Sequence, residues 1–223
     1  MPKYPDYLST MTCPCCASTD IYFWSEDRRR AYYACHQCAV VFVPTHYHLS
    51  PAEEKAEYDL HENDVQDAGY RRFLSRLLTP LLQRVPAAAQ GLDYGCGPGP
   101  ALALMLEEAG HHCAKYDLFY FPDQCVLDQR YDFITATEVV EHLGQPLEAL
   151  DRLWKQLKAG GVLAIMTKRV IDQAAFKNWH YKNDPTHIVF FADRTFKWLS
   201  KRWQAKLDFI DKDVVFLTKQ APD

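Results

Sequence analysis

Gly91-Leu92-Asp93-Tyr94-Gly95-Cys96-Gly97-Pro98-Gly99-Pro100 is the stretch on which the reading of this chain turns. With Ala89 and Gln90 before it, its front half ends a short buried strand. Its back half places a glycine at every second position. Ala101 to Ala109 then reads as a helix that stops at Gly110. A strand, a glycine turn and a helix N-terminus make a seat for a nucleotide-like ligand. Glycine permits tight backbone angles and close approach, and a helix start presents unpaired N–H groups. The dinucleotide fingerprint G-x-G-x-x-G/A does not fit. Counted from Gly95 its third small residue falls on Pro100, and counted from Gly97 it falls on Leu102.

Downstream, His112-Cys113-Ala114-Lys115-Tyr116 reads as a second strand ending in Asp117. That acid stands about 20 residues past the glycine turn, where a ribose diol needs a carboxylate acceptor. Tyr131 to Ala136 reads as a further strand running into Thr137-Glu138-Val139-Val140-Glu141-His142-Leu143. Leu157-Lys158-Ala159-Gly160-Gly161-Val162-Leu163 is a turn entering another strand. The order Asp93-x-Gly95-x-Gly97-x-Gly99, Asp117, "E-x-x-E-H" and a close relative of "L-x-P-G-G-x-L", with Ala159 in the proline position, resembles the class I S-adenosylmethionine-dependent methyltransferases.

The resemblance implies an α/β, seven-stranded Rossmann-like sheet with an antiparallel last strand. It implies S-adenosylmethionine held by Asp93, Gly95, Cys96, Gly97 and Gly99 of the turn, by Asp117 and Leu118, and by Thr137 and Glu138. The passage from Asp117 to Tyr131 is short for a helix plus a strand. Gln124 to Leu127 is expected as a stub of the third strand, with Cys125 to Asp128 as adenine contacts. The closing segments, Ala205–Ile210 and Asp213–Thr218, are joined by a tight turn at Asp211-Lys212, which forces a hairpin. Asp193 to Trp203 reads as the helix before it, with Asp193 as N-cap.

The N-terminal part has its own signature. Cys13-Pro14-Cys15-Cys16 and Cys35-His36-Gln37-Cys38 make C-x₂-C twice, at zinc-ribbon separation. Two thiolates two residues apart grip one side of a tetrahedral ion, and a second pair closes it. Cys13, Cys16, Cys35 and Cys38 are the expected ligands of a structural Zn²⁺. Cys15 and His36 remain alternatives for one position. Ile21–Trp24, Ala31–Ala34 and Val40–Val43 form a three-stranded ribbon too small to hold itself without metal. The expected organisation is a zinc ribbon over 1–46, a helical connector or cap over 47–89 and the methyltransferase domain over 90–223. In the connector, Ser50-Pro51-Ala52-Glu53 is a capping box. Tyr70 to Val85 has a three-four apolar spacing, bent at Pro80. Tyr58 and His61 read as a core aromatic and a solvated histidine; the alternative, from the pre-domain helices of related methyltransferases, is that they reach the pocket.

Composition narrows the function. Lys+Arg 25 against Asp+Glu 29 leaves a slightly acidic chain, and 48% hydrophobic residues suffice for a sizeable core. No apolar stretch is long enough to span a membrane and the N-terminus has no apolar signal core, so a cytoplasmic protein is expected. The insertion Lys168 to Ala192 is dense in aromatics and histidine and follows a strand at the carboxyl edge of the sheet, where substrates bind. Its Asp184-Pro185-Thr186-His187 resembles the "D-x-T-H" element of small-molecule methyltransferases with a zinc ribbon, which points His187 to the pocket. His142 stands four residues after Glu138, so both are expected on one helix face. His142 and His187 are therefore the expected catalytic bases. The function expected is methyl transfer to oxygen, nitrogen or carbon of a small molecule. Alternatives are an rRNA or tRNA methyltransferase gripping RNA through Arg28-Arg29-Arg30 at the ribbon tip, and a non-catalytic interaction protein. Nothing in the sequence sets an oligomeric state.

Overall fold

The computed structural model describes residues 11–60 and 64–221. The ribbon strands β1 (Ile21–Glu26), β2 (Ala31–Cys35) and β3 (Val41–Phe42) are antiparallel neighbours. The connector holds α1 (Pro51–Tyr58) and α2 (Ala68–Leu82). Ser50 and Glu53 close the capping box at the start of α1, and the Asp67 carboxylate accepts from the Tyr70 amide at the start of α2. Leu74, Leu77, Leu78 and Leu81 form the buried stripe of α2, at the three-four spacing that puts them on one face.

The larger sheet begins with β4 (Gln90–Tyr94), followed by α3 (Ala101–Glu108), β5 (His112–Tyr116), β6 (Tyr131–Thr137), α4 (Pro146–Gln156) and β7 (Leu157–Met166). After β7 come α5 (Gln173–Lys177), β8 (Val189–Phe190), α6 (Asp193–Trp203), β9 (Lys206–Phe209) and β10 (Val214–Thr218). Six strands lie in the order β5-β4-β6-β7-β10-β9. The first four are parallel, and β10 runs antiparallel to both its neighbours. Gly91 is needed where β4 crosses under Phe133, because a Cβ there would stand 2.0 Å from the ring. Among the described residues, no helix is long and apolar enough to cross a membrane.

Four sequence expectations change here. The sheet has six strands among the described residues, not seven. Gln124–Asp128 is a 3₁₀ turn, and no strand forms between β5 and β6. The Asp123 carboxylate accepts from the Cys125 amide and turns the chain away from extension. The ribbon, in turn, has four strands. β8, from the insertion after β7, pairs with β3 through Val41–Phe190 and Phe42–Val189. Asp193 is the first residue of α6, and Ala192 holds the N-cap.

The ribbon and the insertion are tied by charge as well as by strands. Arg30 is buried and spends its guanidinium on the insertion's backbone. Nη2 donates to Lys182 O (2.7 Å) and Asp184 O (2.8 Å), Nη1 to Pro185 O (3.1 Å) and Nε to the Tyr32 hydroxyl (3.1 Å). Arg29 donates to Asn183 O, and Lys182 Nζ stands 2.8 Å from Asp27. Burial pushes the Asp27 carboxyl up, but Lys182, the Arg29 and Arg30 amides and Tyr32 hold it well below the usual carboxylate range. Around these bonds Phe176 packs edge-on to Tyr32, Trp24 and Phe190. Arg30→Met should lower the unfolding free energy by about 3 kcal/mol, because three carbonyls lose a charged donor. Arg28→Met, at an exposed neighbour, should stay within about 0.5 kcal/mol. Urea unfolding of both variants checks this.

Asp93 sets the glycine turn from behind. It is buried, accepts from Thr135 Oγ1 (2.7 Å), and takes a backbone hydrogen bond from Ala103 in the first turn of α3. Pro100, the N-cap of that helix, offers no side-chain bond, so the Asp93 carboxylate serves instead. Burial raises its pKa from 3.8 to about 6. The folded state therefore keeps a proton that the unfolded chain has released. That contribution is complete below about pH 4 and is lost as pH rises through 6. The difference is worth about 3 kcal/mol. Asp93→Asn carries no such proton, so the stability of the wild type should fall relative to the variant between pH 4 and 7. Chemical denaturation across that range measures the difference.

Candidate active site

The glycine turn leaves β4 in left-handed backbone, with Gly95 at φ +72° and Gly97 at φ +65°. A Cβ on Gly95 would lie 2.4 Å from Val139 Cγ2, so the loop after β6 can approach only because residue 95 has no side chain. Asp117, at the end of β5, accepts from the amides of Gly97 (3.0 Å), Phe119 (2.9 Å) and Tyr120 (3.1 Å). A carboxylate has about four acceptor sites. Asp117 thus fixes both loops and keeps capacity for one further donor. It lines a cavity of about 330 Å³ together with Gly95, Leu118, Phe119 and Val139. The cavity's roof includes Tyr58 of α1, whose C-terminal neighbour Asp59 accepts from the Tyr120 hydroxyl at 2.6 Å.

A second cavity of about 370 Å³ adjoins the first and shares Tyr58, Gly95, Asp117, Glu138 and His142 with it. His187, Tyr181 and Lys168 line its far side. Glu138 and His142 do not share an α-helical face. Glu138 has φ +53°, and only Val140–His142 forms a 3₁₀ turn. This segment meets the insertion, where the Glu141 carbonyl accepts from the Ile188 amide at 2.9 Å. Both side chains reach the cavity from separate backbone segments. Positive φ in a non-glycine residue is strained by about 1 kcal/mol or more and collects at functional sites.

The far side is built from paired polar groups. The Tyr181 hydroxyl reaches Glu138 Oε2 (3.1 Å) and makes a short bond to Glu141 Oε1, and it lies 3.3 Å from Thr167 Oγ1. Glu141 is fully buried. Burial raises the pKa of both carboxyls, and the Glu138 charge raises that of Glu141 further. His142 and His187 stand with ring centroids 4.7 Å apart. His187 Nδ1 lies 2.7 Å from Tyr181 O, and His142 Nδ1 lies 3.2 Å from Thr186 O. Carbonyl partners require Nδ1–H, which leaves the lone pair on Nε2. Burial pushes the His187 pKa below its ordinary value, outweighing Asp184, whose Oδ2 is 3.7 Å from Nε2. His187 is thus neutral at pH 7.

Of the residues expected from the sequence, Gly95, Cys96, Gly97, Asp117, Thr137, Glu138, His142 and His187 meet at these two cavities, and Leu118 lines the first. Asp93 and Gly99 line neither; Asp93 supports α3 through the Ala103 amide. Burial holds the Cys96 thiol protonated, consistent with a residue present for its backbone. None of Cys125–Asp128 lines either cavity, and Phe119 and Val139 stand beside Asp117 instead. Tyr58 does reach the pocket, whereas His61 lies outside the described residues. Sequence reasoning passed over Glu141 and Tyr181 as site residues. Glu141 sits inside the quoted E-x-x-E-H segment, where only its outer members were weighed. Tyr181 was one aromatic among many, and only the fold shows its hydroxyl between two acids.

The four expected thiols converge at the ribbon. Cys13 Sγ is 3.5 Å from Cys38 Sγ, Cys16 Sγ is 3.4 Å from Cys35 Sγ, and all four lie within 4.8 Å of one another. A tetrahedron with Zn–S bonds of about 2.3 Å has edges of about 3.8 Å, so the set fits such an ion. Cys15 is buried outside it, and His36 stacks on Tyr22 at 4.1 Å.

Comparison with known proteins bears on this site. Residues 67–207 match the family described as methyltransferase domain. No curated protein matches the chain. Among solved structures, an O-methyltransferase family protein of Burkholderia thailandensis is 13% identical at a TM-score of 0.46, over 66% of this chain and 56% of that one. The 1,6-didemethyltoxoflavin-N1-methyltransferase of the same organism, with bound 1,6-didemethyltoxoflavin and S-adenosylhomocysteine, is 17% identical at 0.49, over 89% and 99%. The magnesium protoporphyrin IX methyltransferase of Synechocystis, with bound S-adenosylhomocysteine, is 11% identical at 0.49, over 76% and 94%. The family match spans well over half of the sequence, and on that ground the chain belongs to the methyltransferase-domain family as an S-adenosylmethionine-dependent methyltransferase.

Proposed function

We propose that the protein transfers a methyl group from S-adenosylmethionine to a nucleophilic atom of a small molecule held between Glu138, His142 and His187. One arrangement carries the reading. The cavity beside the glycine turn and the cavity beside the two histidines share Gly95, Asp117 and Glu138 as a common wall. Cofactor and acceptor would therefore meet edge to edge. Gly95 would admit the cofactor, Asp117 would take one of its ribose hydroxyls, and Phe119 and Val139 would flank its base. When bound, that group supplies an electrophilic methyl carbon on a sulfonium.

The rest is the work of this chain. Most of the rate comes from holding acceptor and methyl in line. The acceptor also has a proton to lose. His187 is neutral, with Nδ1–H fixed to the Tyr181 carbonyl, so Nε2 offers a lone pair on the acceptor side. The RNA alternative draws little support, because Arg30 and Arg29 are occupied by the insertion.

The test is a calorimetric titration with S-adenosylhomocysteine. The wild type should bind, and Asp117→Ala should weaken binding at least tenfold, about 1.4 kcal/mol. A folded wild type that does not bind would sink the proposal.

The four thiols are proposed to hold a structural zinc ion. One zinc per chain should be found by elemental analysis. Because the ribbon carries the insertion, Cys35→Ser should raise amide hydrogen exchange in residues 182–187 as well as in the ribbon. Exchange confined to the ribbon would show that the metal does not support the active-site loop.

A further inference from the structure

The acceptor end of the cavity holds more carboxyl oxygens than its neighbours satisfy. Glu138 and Glu141 face a single phenol, Tyr181, whose one proton cannot satisfy both. Their remaining oxygens, Glu138 Oε1 and Glu141 Oε2, are buried without a hydrogen-bond partner, as is Thr137 Oγ1 beside them. A buried, unpartnered carboxylate oxygen is costly and calls for an explanation. Lys168 acts on Glu138 through space, but its ammonium is 2.9 Å from His180 Nε2, on the outer side of the Tyr181 ring. Asp184, the other charged group facing the histidines, is a further acid.

Two imidazoles complete the picture. One ligand atom from each of Glu141, His142 and His187 lies within 4.8 Å of the others. Each histidine has Nδ1 against a backbone carbonyl, Tyr181 O for His187 and Thr186 O for His142. That is the second-shell bond which fixes the tautomer and ring angle of a metal-ligating histidine.

We propose that Glu141, His142 and His187, with Glu138 beside them, form a binding site for one divalent cation of the Mn²⁺, Fe²⁺ or Co²⁺ type at the acceptor end of the cavity. Two imidazoles and one carboxylate suit first-row ions with open positions, whereas Ca²⁺ prefers oxygen alone. Neighbouring donors on such an ion stand about 3 Å apart, so binding draws the three side chains together. The site is separate from the four thiols in the ribbon, whose soft sulfurs select a different ion.

The catalytic consequence rests on the methyltransferase reading. An ion here takes an oxygen of the acceptor into an open position and lowers that hydroxyl's pKa. The proton leaves to cavity water. The freed oxygen pair bonds the methyl carbon as the carbon–sulfur pair returns to sulfur, leaving a neutral thioether. The imidazole lone pairs then hold the ion, and the acceptor class narrows to a hydroxyl compound.

The experiment is a Mn²⁺ titration of the zinc-loaded full chain, followed by the loss of the free-ion signal in electron paramagnetic resonance. S-adenosylhomocysteine binding and zinc content are measured on the same samples. About one Mn²⁺ per chain is expected, with His187→Gln and His142→Gln each weakening it at least tenfold while zinc content is unchanged. Glu141→Gln is the third variant, and the half-exposed His142 serves if Glu141→Gln does not fold. A wild type that binds S-adenosylhomocysteine but not Mn²⁺ overturns the cation site and leaves the methyltransferase reading intact. Mn²⁺ binding that survives the histidine variants also overturns it. Mn²⁺ binding without S-adenosylhomocysteine binding keeps the site and sinks the methyltransferase reading.

Discussion

The guanidinium of Arg30 is the constraint on which the acceptor side of this protein depends. It comes from the tip of a small ribbon and takes up the carbonyls of Lys182, Asp184 and Pro185, in the loop that ends in His187. A loop of that kind has backbone acceptors with no strand partner. Left in water it would sample many shapes, and His187 with it. Binding three of its carbonyls to one planar, permanently charged group fixes the loop at a single cost. The β3–β8 pairing then continues the fixed geometry into the ribbon sheet. Ribbon, insertion and active site thus form one mechanical unit, although they are distant in sequence.

How much of this could be read from residues alone divides by the range of the interaction. Local signals carried well. The glycine turn, the acid after the second strand and the closing hairpin all stand where spacing put them, because each depends on a few neighbouring residues. Contacts across the chain were not legible. In the sequence Arg30 is one member of a basic cluster weighed for RNA, and nothing in Arg28-Arg29-Arg30 says that one of the three points inward. β8 was invisible as a strand: two residues, Val189 and Phe190, carry no period, and they extend only because β3 is waiting. Glu138 and His142 were assigned one helix face by counting four. The left-handed backbone at Glu138 removes the helix that the count assumed. Asp93, expected at the cofactor, also supports α3 from inside the core, which its place in the motif does not announce.

The site also shows why charge and burial must be weighed together. Two carboxyls, two imidazoles and a phenol occupy a few ångströms at the back of a cavity. Glu141 contributes no exposed surface, so its role cannot be solvation. Tyr181 cannot ionise there, because both carboxylates raise its pKa on top of its own burial. It remains a donor over the whole physiological range, and the two acids compete for its proton. Such a set is poised to respond to whatever positive charge enters the cavity, whether the sulfonium of a cofactor or an ion.

The 3₁₀ turn that stands where a third strand was expected leaves β5 on the rim of the sheet. A rim strand presents unpaired amides and carbonyls, which is an invitation for another chain to add itself. Here the rim is guarded in three ways. β5 is only five residues long, it carries Lys115 paired with Glu107 at 2.8 Å, and the turn packs beside it through the Gln124 side chain on the Tyr116 hydroxyl. By dropping a strand, the chain shortened the road between its second and fourth strands and took on the need to keep strangers from joining the sheet.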